Sequence, residues 1–156
     1  MAKNYRDLII IGAGPAGLFT VFEAGMLGMS CHIVDILPFP GGQCSALYPE
    51  KPIYDIPAYP AISGQALTDQ LLKQNAPFKA QYHLGQQVVA LKQTGDQFTV
   101  ITDQAQELNA KAIIIAAGAG AFGPNRPPLA DLASFEASGA IDYSITKLEK
   151  FRKQKI

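Results

Sequence analysis

The sequence has no tryptophan, only two cysteines and no excess of either charge: thirteen basic residues balance thirteen acidic ones among 156. Two thiols, Cys31 and Cys44, are too few for a disulfide framework and too far apart for a CxxC pair. The balanced charge and the pI near 6.7 remove any general electrostatic case for nucleic acid or an anionic membrane. No apolar run approaches the length of a membrane span. The polar start, Met1 to Asp7, has no signal-peptide apolar region. The expectation is a cytoplasmic protein without nucleic-acid or membrane partners. Charged residues make up only 17% of the chain and apolar ones 48%, which suits a buried parallel sheet better than a solvated helical bundle. The length allows one compact domain and is short for two.

Leu8 to Ile11 form a continuous apolar, β-branched run, the pattern of a strand covered on both faces. A glycine turn follows, then a helix over Pro15–Leu27. Pro15 suits the first helical position because its missing N–H would have no partner there, and Gly28 can end the helix in a left-handed conformation. The helix is apolar over most of its circumference and is expected to be buried. Cys31–Asp35 reads as a second strand ending in an acid. Together these make a β-α-β unit with a right-handed crossover.

Gly12-Ala13-Gly14-Pro15-Ala16-Gly17 is a G-x-G-x-x-G between that strand and that helix. Gly12 permits the tight turn. Gly14 lets a pyrophosphate approach the backbone, where the first N–H groups of the helix favour negative charge. Gly17 lets the helix pack closely. Asp35 lies 18 residues beyond Gly17, where a carboxylate accepts hydrogen bonds from a ribose diol. The acid, with no arginine beside it, argues against a 2′-phosphate at this site. Dinucleotide binding is the reading that follows; the bland one is a plain structural turn.

From Leu37 to Ser63, six prolines with Gly41 and Gly42 prevent a long helix or a central strand. The same stretch carries Phe39, Tyr48, Tyr54 and Tyr59, so it reads as an ordered, functional loop and not a linker. A helix over Gly64–Ala76 follows, capped by Ser63 and stopped by Pro77. Strand-like pieces come next at 80–84, 86–93, 97–102 and 111–117, with turns at Thr94-Gly95-Asp96 and Asp103-Gln104. Phe98 to Thr102 alternates like an antiparallel meander with one wet face. Ala112–Ala117 is solidly apolar, like the first strand, and is expected to return to the parallel sheet. Beyond Gly118 no strand or helix of any strength is visible, and the tail looks like a connection to something further on.

His32 and His83 each sit in a strand-like run with no second ligand at metal spacing, so structural roles are expected and no metal site. Cys44 reads as a small buried hydrophobe, and Cys31 as merely buried. No side chain stands out as a catalytic acid, base or nucleophile.

Asp7–Asp35, then Gly41-Gly42-Gln43, then Ile115-Ala116-Ala117-Gly118 resemble the FAD domain of two-dinucleotide-domain flavoprotein reductases. The narrower stretch from Gly42-Gln43-Cys44 through Leu47-Tyr48-Pro49-Glu50-Lys51 to Tyr54-Asp55-Ile56-Pro57 resembles the thioredoxin-reductase-like ferredoxin–NADP⁺ reductases. The likeness continues over Ala119 to Phe122. It implies an α/β, Rossmann-like FAD-binding domain with a central parallel sheet and an antiparallel β-meander.

It also implies roles. Asp35 would hold the adenosine ribose, where many relatives use the longer Glu. Gly42, Gln43 and Tyr48 would meet the flavin half, Tyr48 through its ring. Val88 would offer backbone contacts near the adenine. Ala117 and Gly118 would close the site, and Phe122 would lie by the isoalloxazine. Core packing is the other reading of Tyr48 and Phe122. With Gly12, Gly14, Pro15, Ala16 and Gly17, these residues make the expected cofactor site.

The resemblance further implies FAD as cofactor, NADP(H) as co-substrate, ferredoxin or a similar carrier as partner, and a homodimer for the intact enzyme. On that pattern residues 1–122 are the first part of a discontinuous FAD-binding domain. Residues 123–156 are a connection toward an NADP(H)-binding domain, without which turnover with NADPH is not expected. Two alternatives are the FAD domain of a thioredoxin-disulfide reductase and a non-catalytic flavin- or nucleotide-binding module. A more distant third is a flavin monooxygenase.

Overall fold

The structure is a computed structural model that describes residues 4–120, 123, 125–143 and 148–153. Strand β1 (Tyr5–Ile11) leads through the glycine turn into helix α1 (Pro15–Met26) and strand β2 (Cys31–Asp35). Then come the short helix α2 (Gln43–Ala46) and a two-stranded hairpin of β3 (Pro52–Ile53) and β4 (Ile62–Ser63). Helix α3 (Gly64–Asn75) and strand β5 (Gln81–Leu84) follow. The chain continues through β6 (Val88–Thr94), β7 (Gln97–Thr102) and β8 (Glu107–Ile115) to the short helix α4 (Leu132–Ala137).

Six strands form one sheet in the order β5-β2-β1-β8-β7-β6. β5, β2, β1 and β8 run parallel, with Leu8 opposite Cys31 and Ala112, whereas β6, β7 and β8 are antiparallel. The long β8 is therefore the joint: its first half pairs with the meander while its length runs along β1. The expected mixed architecture is present, and β5 joins the parallel part.

The apolar run of β1 is covered on both faces, as its composition requires. Leu8 and Ile10 pack with Leu18, Val21 and Ala24 of α1 and Ile33 of β2. On the other face Ile9 and Val34 meet Val100 of β7 with Leu108 and Ala110 of β8. Period-two alternation sends neighbouring residues to the two faces, so two separate cores use one strand. Ser63 caps α3 by accepting the Ala66 N–H at 3.2 Å, worth about 1 kcal/mol. Asn75 closes that helix against α1, donating to the Leu18 carbonyl at 2.9 Å.

Four expectations need correction. Helix α1 buries one stripe only: Phe19, Met26 and Leu27 are exposed, because sheet and α3 cover a single side of it. The last apolar strand spans Glu107–Ile115, not 111–117, and its tip is not covered like β1: Ile114 and Ile115 are exposed. Helix α3 ends at Asn75, and Pro77 lies in a 3₁₀ turn, Ala76–Phe78. The tail does hold a helix, the six-residue α4, steadied by Arg126 and Tyr143, which both donate to Glu136.

Candidate functional site

A cleft of about 410 Å³ opens at the carboxyl ends of β1, β2 and β8, where ligands bind in open α/β sheets. Its glycine loop is shaped by close approach. Gly12 has φ +108°, and a Cβ there would stand 2.3 Å from the Ala116 carbonyl oxygen. A Cβ on Gly17 would fall 1.8 Å from the Gly12 oxygen, so only glycine lets the first turn of α1 sit on the loop. Gly14 differs, since the nearest atom to a Cβ there is 3.9 Å away. Its missing side chain leaves space in the cleft, directly at the helix start. No side chain caps that start, so its first N–H groups are left for a ligand.

The backbone around the loop is tied down. Gly12 N–H donates to the Val34 carbonyl at 2.7 Å and Gly41 N–H to the Ala13 carbonyl at 2.8 Å. Half-buried Asp35 joins three segments. Its Oδ2 accepts the Ala13 N–H at 2.6 Å, its Oδ1 accepts the Leu37 N–H at 2.8 Å, and its carbonyl accepts the Gln86 N–H at 3.0 Å. Both carboxylate oxygens thus hold the loop while keeping lone pairs toward the cleft.

Two sets of residues meet this loop. Asp35, Ile36, Leu37, Gln86, Gln87 and Val88 form one, beyond β2 and β5. Gly42, Gln43, Cys44 and Tyr48 form the other, on and after α2. Tyr48 donates from its hydroxyl to Gln43 Oε1 at 3.3 Å, and Lys51 Nζ lies 5.5 Å from the Tyr48 ring centre. An adjoining groove of about 590 Å³ shares Pro15, Cys44 and Tyr48 with the cleft.

Of the residues expected from the sequence, Gly12, Gly14, Pro15, Ala16, Asp35, Gly42, Gln43, Tyr48, Val88, Ala117 and Gly118 line this one cleft. Gly17 stands behind it, buried in α1, and Phe122 lies outside the described residues. Sequence reasoning missed Ile36, Leu37, Gln86 and Gln87. Their signal was position alone, just after an expected strand end. Cys44 is corrected from a buried hydrophobe to a half-buried lining residue, its thiol pKa raised by desolvation. Cys31 is buried, and desolvation pushes its thiol up to about 11.

Away from the cleft, the two histidines that the sequence treats separately are partners. His32 Nδ1 and His83 Nε2 are 2.9 Å apart; His32 Nε2 reaches the Asn4 carbonyl at 3.0 Å and His83 Nδ1 reaches Gln106 Oε1 at 3.2 Å. Burial lowers both pKa values. Among the described residues no group of three or more potential metal ligands occurs.

Residues 6–155 match the family described as pyridine nucleotide-disulphide oxidoreductase. The chain is 57% identical over 145 residues to the ferredoxin–NADP reductase of Rickettsia akari, covering 93% of this chain and 43% of that protein. It is 53% identical over 151 residues to that of Wolbachia pipientis, covering 96% and 44%. Thioredoxin reductase from Streptococcus pyogenes superposes with a TM-score of 0.64 at 28% identity, over 73% of this chain and 35% of that one. The chain therefore spans less than half the length of the curated relatives it matches.

Proposed function

The chain belongs to the pyridine nucleotide-disulphide oxidoreductase family, and from that premise we propose that it is the FAD-binding portion of a ferredoxin–NADP⁺ reductase. The observation that carries the reading is the single cleft that joins the glycine loop, Asp35 and the Gln43–Tyr48 pair. The space left by Gly14 and the uncapped helix start fit a pyrophosphate. The Asp35 lone pairs fit a ribose diol, and the Tyr48 ring with the Gln43 amide fits a flat heteroaromatic ring that carries polar edges.

In this reading Gly12 and Gly17 shape the loop. Gly14, Pro15 and Ala16 bring backbone to the pyrophosphate. Asp35 and Val88 take the adenosine, and Gly42, Gln43 and Tyr48 take the flavin. Ala117 and Gly118 close the cleft, with Phe122 assigned beside the isoalloxazine. When bound, FAD supplies the electron-transfer chemistry between NADP(H) and ferredoxin. The chain's own residues bind and orient it, and none is assigned as a catalytic acid or base.

We assign residues 1–122 to the first part of a discontinuous FAD domain and 123–156 to the connection toward an NADP(H)-binding domain. A cytoplasmic homodimer is the proposed setting of the intact enzyme, without nucleic-acid or membrane partners. The likeness to thioredoxin reductases supports a disulfide reductase as second reading, but the relatives above 50% identity are named for ferredoxin–NADP reduction.

The test is a fluorescence titration of FAD with the chain, NAD⁺ being the competitor. Saturable quenching that NAD⁺ does not reverse is expected. Absence of FAD binding, or displacement by NAD⁺, refutes the assignment. Steady NADPH-dependent dye reduction by the 156-residue chain would contradict the division into domains.

A further inference from the structure

Only two buried side-chain polar atoms among the described residues have no hydrogen-bond partner, Asn75 Oδ1 and Gln86 Oε1. Gln86 is the one of the two that lines the cleft. A buried acceptor without a donor is costly, and natural structures keep such atoms where a ligand or water relieves them. Gln86 is also fixed in place by its backbone. Its N–H donates to the Asp35 carbonyl at 3.0 Å, and the preceding Gly85 N–H donates to the Leu37 carbonyl at 2.9 Å. The amide therefore stands beside the acid assigned to the ribose, with Ile36, Leu37 and Val88 as apolar neighbours along the same cleft.

We propose that Gln86 is a specificity residue that reads the base of the dinucleotide, its amide oxygen accepting from the exocyclic amine of adenine. The inference rests on the FAD assignment above and extends it from cofactor class to base recognition. The orphan is an oxygen, so the group that relieves it is a donor. Adenine presents an amine at its 6-position, whereas hypoxanthine presents a carbonyl that leaves the oxygen unpartnered and opposes it. The terminal torsion of a glutamine is broad. Rotation about it carries the oxygen from its dry position to the cleft face, while the backbone anchor stays in place. Flat apolar neighbours with one polar edge group suit a purine. Loss of a hydrogen bond in a site built for it discriminates strongly between such analogues.

The test uses ADP and IDP, which differ at the 6-position of the base, titrated calorimetrically into the 156-residue chain, with FAD as the reference ligand. Wild type is expected to bind ADP about tenfold more tightly than IDP, the size of one net hydrogen bond. Gln86→Leu should weaken ADP and leave IDP nearly unchanged, bringing the ratio close to one. Gln86→Glu, which keeps an acceptor, should retain the preference for ADP. A thermal unfolding midpoint of ligand-free Gln86→Leu equal to or above wild type is also expected, because the substitution removes an orphan and not a bond. A lower midpoint would mark Gln86 as structural and overturn the proposal. Equal wild-type affinity for ADP and IDP, or a preference that survives Gln86→Leu, overturns it while FAD binding leaves the cofactor assignment standing. Failure of the wild type to bind FAD, ADP and IDP alike overturns both.

Discussion

The glycine loop and the segment beyond Gly118 are built from similar amounts of glycine, proline and polar residue, yet they are held in opposite ways. Around the loop, Gly12, Ala13 and Gly41 each spend a backbone N–H on a neighbouring segment, and Asp35 binds two more from within a half-buried position. Beyond Gly118 the described residues are mostly exposed. Their ties are surface ion pairs: Arg126 with Glu136, Lys150 with Asp142 and Arg152 with Glu149. Exposed pairs contribute little because water screens them, whereas buried backbone bonds have no solvent to replace them. The same residue types thus make a rigid cradle in one place and a loosely held surface strap in the other.

The largest break in that contrast is Gly17→Val. Its branched side chain would collide with the Gly12 carbonyl, forcing helix and loop apart. A loss of about 3 kcal/mol or more in urea unfolding is expected, together with loss of FAD binding; wild-type-like stability would show that the loop is soft. Asp35→Ala comes next. It removes two charge-assisted bonds to buried backbone N–H groups, so about 2–3 kcal/mol of stability is expected to go, with weaker FAD binding. Amide hydrogen exchange at Ala13 and Leu37 in the ligand-free chain reads the lost bonds directly.

A smaller effect tests the seam between sheet and meander. His32 and His83 are held neutral by burial, with Arg6 adding to the bias at His32. The unfolded chain takes up protons near the ordinary histidine value, about 6.5, while the folded pair resists until lower pH. Stability from this pair is therefore complete above about pH 6.5 and is lost as pH falls below it. Urea midpoints between about pH 7.5 and 5 should fall, and His83→Leu should flatten that part of the profile. At the bottom of the scale, Arg126→Ala should leave the unfolding midpoint unchanged. A clear drop would mean that the C-terminal strap is held by more than surface pairs.

The β-α-β unit was legible residue by residue because its signals are local. Pro15 at the first helical position, Gly28 after the end, Ser63 capping α3 and the apolar run of β1 each act within a few positions of themselves. What misled is equally physical. A helix apolar on most sides reads as buried, but α1 has cover on one side only, and composition does not count neighbours. The tip of β8 carries isoleucines as β1 does, yet nothing among the described residues lies over Ile115 as the meander lies over Ile9. In the site, the glycine loop and Asp35 were visible through spacing. Gln86 and the His32–His83 contact were not, since they arise where β2 meets β5 and the turns beyond them.

By itself the sequence determined the β-α-β unit, the glycine loop, its acid and the aromatic segment after Gly42, because steric and capping rules operate over a few residues. Only the tertiary structure decided that these distant stretches share one cleft, that Asp35 clamps the loop it faces, and that two histidines 51 positions apart touch. The physical reason is strand register: β2 lies between β1 and β5, and a pairing fixed by burial on both faces brings together side chains whose separation along the chain carries no sign of it.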